Sequence, residues 1–243
     1  MNSVCVATYN GEKYVEAQLR SILVQINAED EVIVSDDGST DKTIEIIQSL
    51  CDRRIAILHN NAHSIKDNFV NALRHAKGNI IFLSDQDDVW LPGKYTRCIE
   101  ELKTADLVCT NSKLTDEQLN VINPDFFSIY HSRKGILRNL LISSYYGSCM
   151  AFRRSLLDYA LPMPSSPDIY HDIWLGLVAE VVGTIRFVDT PYLLYRRHKN
   201  TQTQTTSLWT RSKRPLWNKI AYRMDLLWQI IKLYWHFHYA HKR

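Results

Sequence analysis

Apolar and polar positions come in alternating blocks through the first hundred residues. "SVCVAT" (3–8), "EVIVS" (31–35), "RIAIL" (54–58) and "NIIFLS" (79–84) are short apolar runs rich in β-branched residues, which predicts strands. Between them Val15, Leu19, Ile22, Leu23 and Ile26 recur at helical spacing, as do Ile44, Ile47 and Leu50, and residues 65–77 form a further helical stretch. Ser39 or Thr40 is the expected cap of the second helix. The strand runs are nearly continuous in apolar character, which fits a mostly parallel sheet with helices on both faces. "ADLVCT" (105–110) predicts a fifth strand, and the periodicity then fades over about 112–146. It returns as a strand at "GSCMAF" (147–152), an apolar helix at "HDIWLGLVAEVVG" (171–183), and two more strands at "TIRFV" and "YLLYRRH". The expected fold class is α/β.

In open sheets of this kind, ligands bind beyond the carboxyl ends of the strands. The polar clusters "TYN", "DDGSTD" and "DQDD" follow three of the strands, so they should converge on one edge. In "FLSDQDDVWLP" (82–92) three carboxylates, Asp85, Asp87 and Asp88, fall within four positions. They either cap a helix starting near Pro92 or surround a cation. One carboxylate would suffice for a cap; three favour a divalent cation held by oxygen ligands, which also explains the tolerated repulsion. "VIVSDDGSTD" taken alone reads as a strand-to-helix turn, with Gly38 at the special backbone angle. That reading leaves two adjacent aspartates over, and a carboxylate there can accept the N3–H of a uracil or thymine base.

Four stretches occur in order: "VATYNGEKYVEAQLRSIL", "EVIVSDDGSTDKT", "FLSDQDDVWLPGK" and "HDIWLGL". Together, over about residues 3–200, they resemble family 2 inverting glycosyltransferases of the GT-A fold. Within that family the chain is most similar to bacterial rhamnosyltransferase-like enzymes of polysaccharide and O-antigen assembly. The resemblance implies a nucleotide-sugar-binding part over 1–111 and an acceptor-binding, catalytic part over 112–200. It implies that Thr8, Tyr9 and Asn10 border the nucleotide, and that Asp37, with Asp36 nearby, hydrogen-bonds the base. Asp85, next to Gln86, would meet the ribose or the metal. Asp87 and Asp88, with Asp85, would hold Mn2+ or Mg2+ against the diphosphate of a UDP- or dTDP-sugar. In such enzymes a segment comparable to "YRRHKN" (195–200) closes over the diphosphate, which would give Arg196, Arg197 and His198 that role. An exposed basic loop is the equal alternative. Asp172 would be the catalytic base.

The last role has its own rationale. Inversion needs one carboxylate to take the proton of the acceptor hydroxyl as it attacks the anomeric carbon. Asp172 is the only acid between Asp168 and Glu180, and it opens an apolar helix. It also suits a helix N-cap, and the helix dipole is expected to lower its basicity. His171 beside it reads as structural. The aromatics of "PDFFSIYHS", in the acceptor-side region, suit either sugar stacking or the core.

Charge adds a second feature. From Trp209 to Arg243 there are eight Lys or Arg against Asp225 alone, a net +7 that leaves −4 on the rest of a chain whose total is +3. "NTQTQTTS" reads as a linker to this basic, aromatic tail, residues 201–243. Trp217, Ile220, Met224, Leu227, Trp228 and Ile231 form a helical apolar face there. Such a tail suits contact with the inner membrane surface, where a lipid-linked saccharide acceptor would lie. Packing on the body or on a second subunit is the alternative, and no nucleic-acid motif is present. Five cysteines without C-x-x-C argue against a disulfide framework and a zinc site. No leader and no membrane span is visible, so the cytoplasm is the expected compartment. A nucleotidyltransferase shares the acidic nucleotide-binding sheet and is the rival enzyme. A non-catalytic nucleotide-sugar-binding module is the rival of another class.

Overall fold

The computed structural model describes residues 1–198 and 215–239. Lys199, the expected linker, and the tail residues 209–214 and 240–243 lie outside the described residues. The chain runs β1 (Ser3–Thr8), α1 (Val15–Leu23), β2 (Glu31–Asp36), α2 (Thr43–Ser49), β3 (Ile55–His59), α3 (Ile65–His75), β4 (Ile80–Asp85) and β5 (Val89–Trp90). Then follow α4 (Lys94–Glu101), β6 (Leu107–Thr115), β7 (Val121–Asn123), α5 (Phe126–Tyr130), α6 (Ile136–Leu141) and β8 (Met150–Arg153). The last elements are α7 (Leu157–Ala160), α8 (His171–Val182), β9 (Ile185–Arg196) and α9 (Leu216–Tyr239).

Among the described residues, nine strands make one sheet in the order β3-β2-β1-β4-β8-β6-β9-β5, with β7 on β6. β1 to β4 pair in parallel. β8 is antiparallel to both β4 and β6, so β6 and its parallel neighbour β9 point the same way as the first four. The register sets Thr8 beside Asp36 and Ala7 beside Asp85. The three acidic or polar strand ends therefore share one edge.

Side chains alternate across the pleat. Cys5, Ile33, Ile81 and Leu83 face a layer containing Phe69 and Leu73 of α3 and Trp174, Leu175 and Val178 of α8. Val4, Val6, Val32, Val34 and Phe82 face the other layer, with Val15, Leu19 and Ile22 of α1, Ile47 of α2 and Cys98 of α4. Burying both faces explains why the strands read as unbroken apolar runs. Cys5, Cys98, Cys109 and Cys149 are buried free thiols, and Cys51 is exposed.

Several elements differ from expectation. α2 starts at Thr43, and its first N–H groups are served by Asp41, whose carboxylate accepts from Thr43 at 3.0 Å. Ser39 turns back to Asp36 instead. The acidic cluster does not cap α4, which begins after Gly93 in left-handed conformation (φ 88) without a side-chain cap. "GSC" forms a 3-10 turn, and the strand starts at Met150. The two last strands are one, β9, whose register against β6 slips around Asn111 and Pro191. Proline has no N–H to give the ladder, and the Asn111 side chain fills in by donating to the Asp189 carbonyl at 2.9 Å. Phe126 and Tyr130 of "PDFFSIYHS" are core, their tilted rings 4.3 Å apart. They offer no sugar platform.

The tail helix α9 packs Leu226, Ile230 and Leu233 into the same apolar layer as α8. Of the face expected from its spacing, only Leu227 packs partly against that layer, while Trp217, Ile220, Met224, Trp228 and Ile231 are exposed.

Candidate active site

At the shared edge the loops are stitched together by side chains. Gln86 Oε1 accepts the Tyr9 N–H and its Nε2 donates to the Tyr9 carbonyl, both at 2.9 Å. A Cβ at Gly11 would fall 2.2 Å from Gln86 Oε1, so any larger residue there would have to displace the Gln86 amide from Tyr9. Asn10 takes the Thr40 N–H on Oδ1 at 2.8 Å and gives its own N–H to Ser39 Oγ at 2.9 Å. Thr8 is buried and donates to Asp36 Oδ2 at 2.8 Å; Asp36 also accepts from the Ser39 backbone at 2.8 Å and hydroxyl at 2.6 Å. Asp37 accepts the N–H groups of His63 (3.1 Å) and Ser64 (2.8 Å). Of the residues expected around the nucleotide, Tyr9 alone presents a large exposed ring (51%). Thr8, Asn10, Asp36 and Gln86 shape the floor beneath it.

The second acidic cluster is less fully satisfied. Asp85 accepts from the Ser148 hydroxyl at 2.6 Å. Asp87 Oδ2 faces His198 Nε2 at 2.7 Å. Asp88 Oδ1 accepts the Arg196 N–H at 3.0 Å, but its Oδ2 is buried with no partner. Burial and the neighbouring carboxylates push the Asp85 and Asp88 carboxyls well above the ordinary range. Lys94 counters them: fully buried, it donates to the Ser148 carbonyl and lies 4.8 Å over the Trp90 ring. Both Lys94 and Ser148 escaped the sequence reading. Lys94 stands in "WLPGK", directly behind the acids, whereas nothing around Ser148 signals its role.

β5 pairs with β9, and this brings the basic segment to the acids. Arg196 Nε donates to the Asp87 carbonyl at 2.6 Å, and its guanidinium lies 4.8 Å over the Tyr14 ring. The His198 ring sits 4.9 Å from Tyr14. Arg197 turns elsewhere and donates to the Tyr130 hydroxyl at 2.5 Å. Among the described residues no three His, Cys, Asp or Glu side chains form a ready metal cage. The three aspartates diverge to Ser148, His198 and Arg196. A divalent cation nonetheless fits the chemistry: hard carboxylate oxygens, one of them buried and unpartnered, at a site of excess negative charge. Asp87, Asp88 and Asp85 are the residues that could hold it.

Asp172 lies in the first turn of α8, after Tyr170 as N-cap. It is therefore not the cap itself. Its Oδ1 accepts the N–H of Ile173 at 2.7 Å. Burial outweighs this N-terminal position and pushes the carboxyl up to about 6, opposite to the lowering expected from the dipole. Its charge also helps raise Asp85, and the Gly147 backbone donates to it next to Ser148, whose hydroxyl serves Asp85. His171 beside it is buried, with both ring nitrogens unpartnered, and stacks on Phe69 at 4.0 Å. Burial depresses it to about 3, which keeps it neutral. Gly147 leaves room for this ring, since a Cβ there would meet Nε2 at 2.9 Å.

A two-faced, mostly parallel sheet with an acid cluster and a helix-borne carboxylate at one edge defines a GT-A-type transferase fold. Its solved likenesses include Staphylococcus aureus TarS 1-349 in complex with UDP-GlcNAc, at TM-score 0.67 and 18% identity over 99% of this chain and 75% of that one. The mannosyltransferase PcManGT of Pyrobaculum calidifontis, in complex with GDP-Man and Mn2+, has TM-score 0.59 and 21% identity over 83% and 58%. The family model of glycosyl transferase family 2 matches residues 3–160. The chain belongs to that family and is a glycosyltransferase, which sets aside the nucleotidyltransferase reading. Escherichia coli WfaP, a UDP-Glc:alpha-D-GlcNAc-diphosphoundecaprenol beta-1,3-glucosyltransferase, is 34% identical over 79% of this chain and 77% of its own length. The dTDP-rhamnosyl transferase RfbG of Shigella flexneri is 26% identical over 81% and 73%. A Nostoc glycosyltransferase is 25% identical over 81% of this chain, but the match spans only 64% of that relative.

Proposed function

We propose that the protein is a metal-dependent inverting glycosyltransferase. It moves a hexosyl group from a UDP- or dTDP-sugar to a saccharide acceptor, lipid-linked in the favoured case, in cell-surface polysaccharide synthesis. The observation that carries this reading is the cluster of Asp85, Asp87 and Asp88 after β4, tied to Asp172 through the adjacent residues Gly147 and Ser148. The activities of WfaP and RfbG, with UDP- and dTDP-linked donors, support the donor class and, for WfaP, a lipid diphosphate acceptor.

In this mechanism Tyr9 stacks on or borders the base, and Asp37 uses a spare lone pair to accept its N3–H. Asp87 and Asp88, with Asp85, would hold Mn2+ or Mg2+, which would supply positive charge to offset that of the departing diphosphate. Arg196 and His198 add positive charge or N–H donors on the same side. Asp172 takes the proton of the acceptor hydroxyl. That oxygen bonds to the anomeric carbon from the face opposite the diphosphate, and the anomeric C–O bond to the diphosphate breaks. Inversion follows from the single displacement. A carboxyl at about 6 is mostly ionised at neutral pH, yet more basic than an ordinary aspartate.

Calorimetric titration with UDP, dTDP and GDP, each with and without Mn2+, on wild type and Asp87→Ala, tests the donor site. Binding of UDP or dTDP that needs both cation and Asp87 is expected. Binding indifferent to both would remove the metal-dependent reading.

A further inference from the structure

The helix α9 is apolar on two sides. Leu226, Ile230 and Leu233 anchor it to the body. At about 100° per residue, Trp217, Met224 and Trp235 point roughly the opposite way, with Trp228 and Ile231 beside them. All five are exposed, Trp217 by 79%. Half of the chain's six tryptophans thus stand on the uncovered side of one helix. Leu137 and Leu141 of the neighbouring α6 are also exposed, and Arg223 bridges the two helices by donating to the Leu141 carbonyl at 3.3 Å. So many large exposed apolar side chains on one helix and its neighbour mark an interaction site.

We infer that the outward face of α9, extended by Leu137 and Leu141 of α6, docks the protein onto the interfacial zone of an anionic lipid bilayer. Charge selects this occupant. The segment 209–243 carries eight Lys or Arg against Asp225 alone, a net +7. Lys232 stands 5.3 Å over the Trp228 ring, so cation and aromatic share one margin of the surface. A second copy would bring two such basic segments together, whereas lipid phosphates complement them. Indole rings beside ammonium groups suit the headgroup boundary, where one end of the side chain is apolar and the other wet. Among the described residues no helix is long and apolar enough to cross a membrane, so α9 lies on the surface rather than through it. The inference rests on the proposed activity only for its purpose, which is to meet a lipid-linked acceptor.

The test is co-sedimentation of the full chain with sucrose-loaded vesicles of phosphatidylcholine, with or without about 30% phosphatidylglycerol. The variant Trp217→Ser/Trp228→Ser/Trp235→Ser changes only exposed positions. Wild type should bind the anionic vesicles, and the triple variant should partition roughly tenfold less or weaker still. Lys232→Glu should weaken binding to anionic vesicles and leave the weak binding to neutral ones unchanged. Equal binding by wild type and triple variant would overturn the inference, as would no vesicle binding at all. A wild-type dimer that the triple variant dissolves, seen by analytical ultracentrifugation, would overturn it in favour of a second copy. UDP titration on the same proteins separates the two readings. Retained UDP binding with lost vesicle binding places the effect on the docking face, and absent UDP binding in wild type sinks the donor site alone.

Discussion

The loops after β2 and β4 both carry adjacent aspartates at the same sheet edge, and they treat them differently. After β2 every carboxylate oxygen of Asp36 and Asp37 has a donor from Thr8, Ser39, His63 or Ser64. After β4, Asp88 keeps a buried oxygen without a partner, and Asp87 leans on His198, 111 residues away. The first pair holds the loops in shape. The second holds charge in reserve. Unused charge and hydrogen-bonding capacity, rather than acid content, separate the loop-shaping pair, whose Asp37 keeps only a spare lone pair for a base, from the cluster ready for a cation.

The sharpest break is to the carboxylate outside both clusters, Asp172. Asp172→Asn should lower kcat by roughly 10²–10⁴-fold with UDP binding retained. In wild type, kcat/KM should fall as pH drops through about 6, because the base must be ionised. The linkage sign is opposite for folding. A carboxyl raised from 3.8 to about 6 destabilises the fold above that range and ceases to do so as pH falls through it. The variant should therefore melt no lower than wild type at neutral pH. A large loss of melting temperature would mean that Asp172 is structural.

Asp36→Ala should come next, at about 2–3 kcal/mol of stability by urea denaturation, since it strands the Thr8 and Ser39 donors. Asp87→Ala should leave the urea midpoint nearly unchanged but weaken Mn2+-dependent UDP binding roughly tenfold, about 1.4 kcal/mol. If these two variants exchanged phenotypes, the contrast between the clusters would be wrong. The smallest effect is expected from His171→Phe, within about 1 kcal/mol at pH 7.5, because the ring makes no hydrogen bond in its cavity. A histidine depressed from 6.5 to about 3 keeps its full stability above about 6.5 and loses it as pH falls toward 3. The phenylalanine variant should lose less stability over that window, as read from denaturation midpoints at pH 7 and 4.5.

Much of this was legible in the chain. Val4, Val6, Val32 and Val34 against Cys5 and Ile33 encode a two-faced strand, and the acids ending those strands mark the edge where ligands bind. Ser39, Phe126 and the outer face of α9 were less legible. Their neighbours come from elsewhere: Ser39 was taken by Asp36, Phe126 by Tyr130, Tyr146 and Tyr195, and α9 found its body contact through a second apolar stripe.

The sequence by itself determined the alternation of strands and helices through β4, the acids at the strand ends and the basic aromatic end of the chain. These depend on spacing and composition within a few residues. The tertiary structure decided which acids are satisfied. Ser148 reaches Asp85 across 63 residues and Arg196 reaches Asp88 across 108, through the insertion of β8 and the pairing of β5 with β9. It also decided that burial, not the helix terminus, sets the basicity of Asp172. Desolvation is a property of everything packed around a group, and no local pattern contains it.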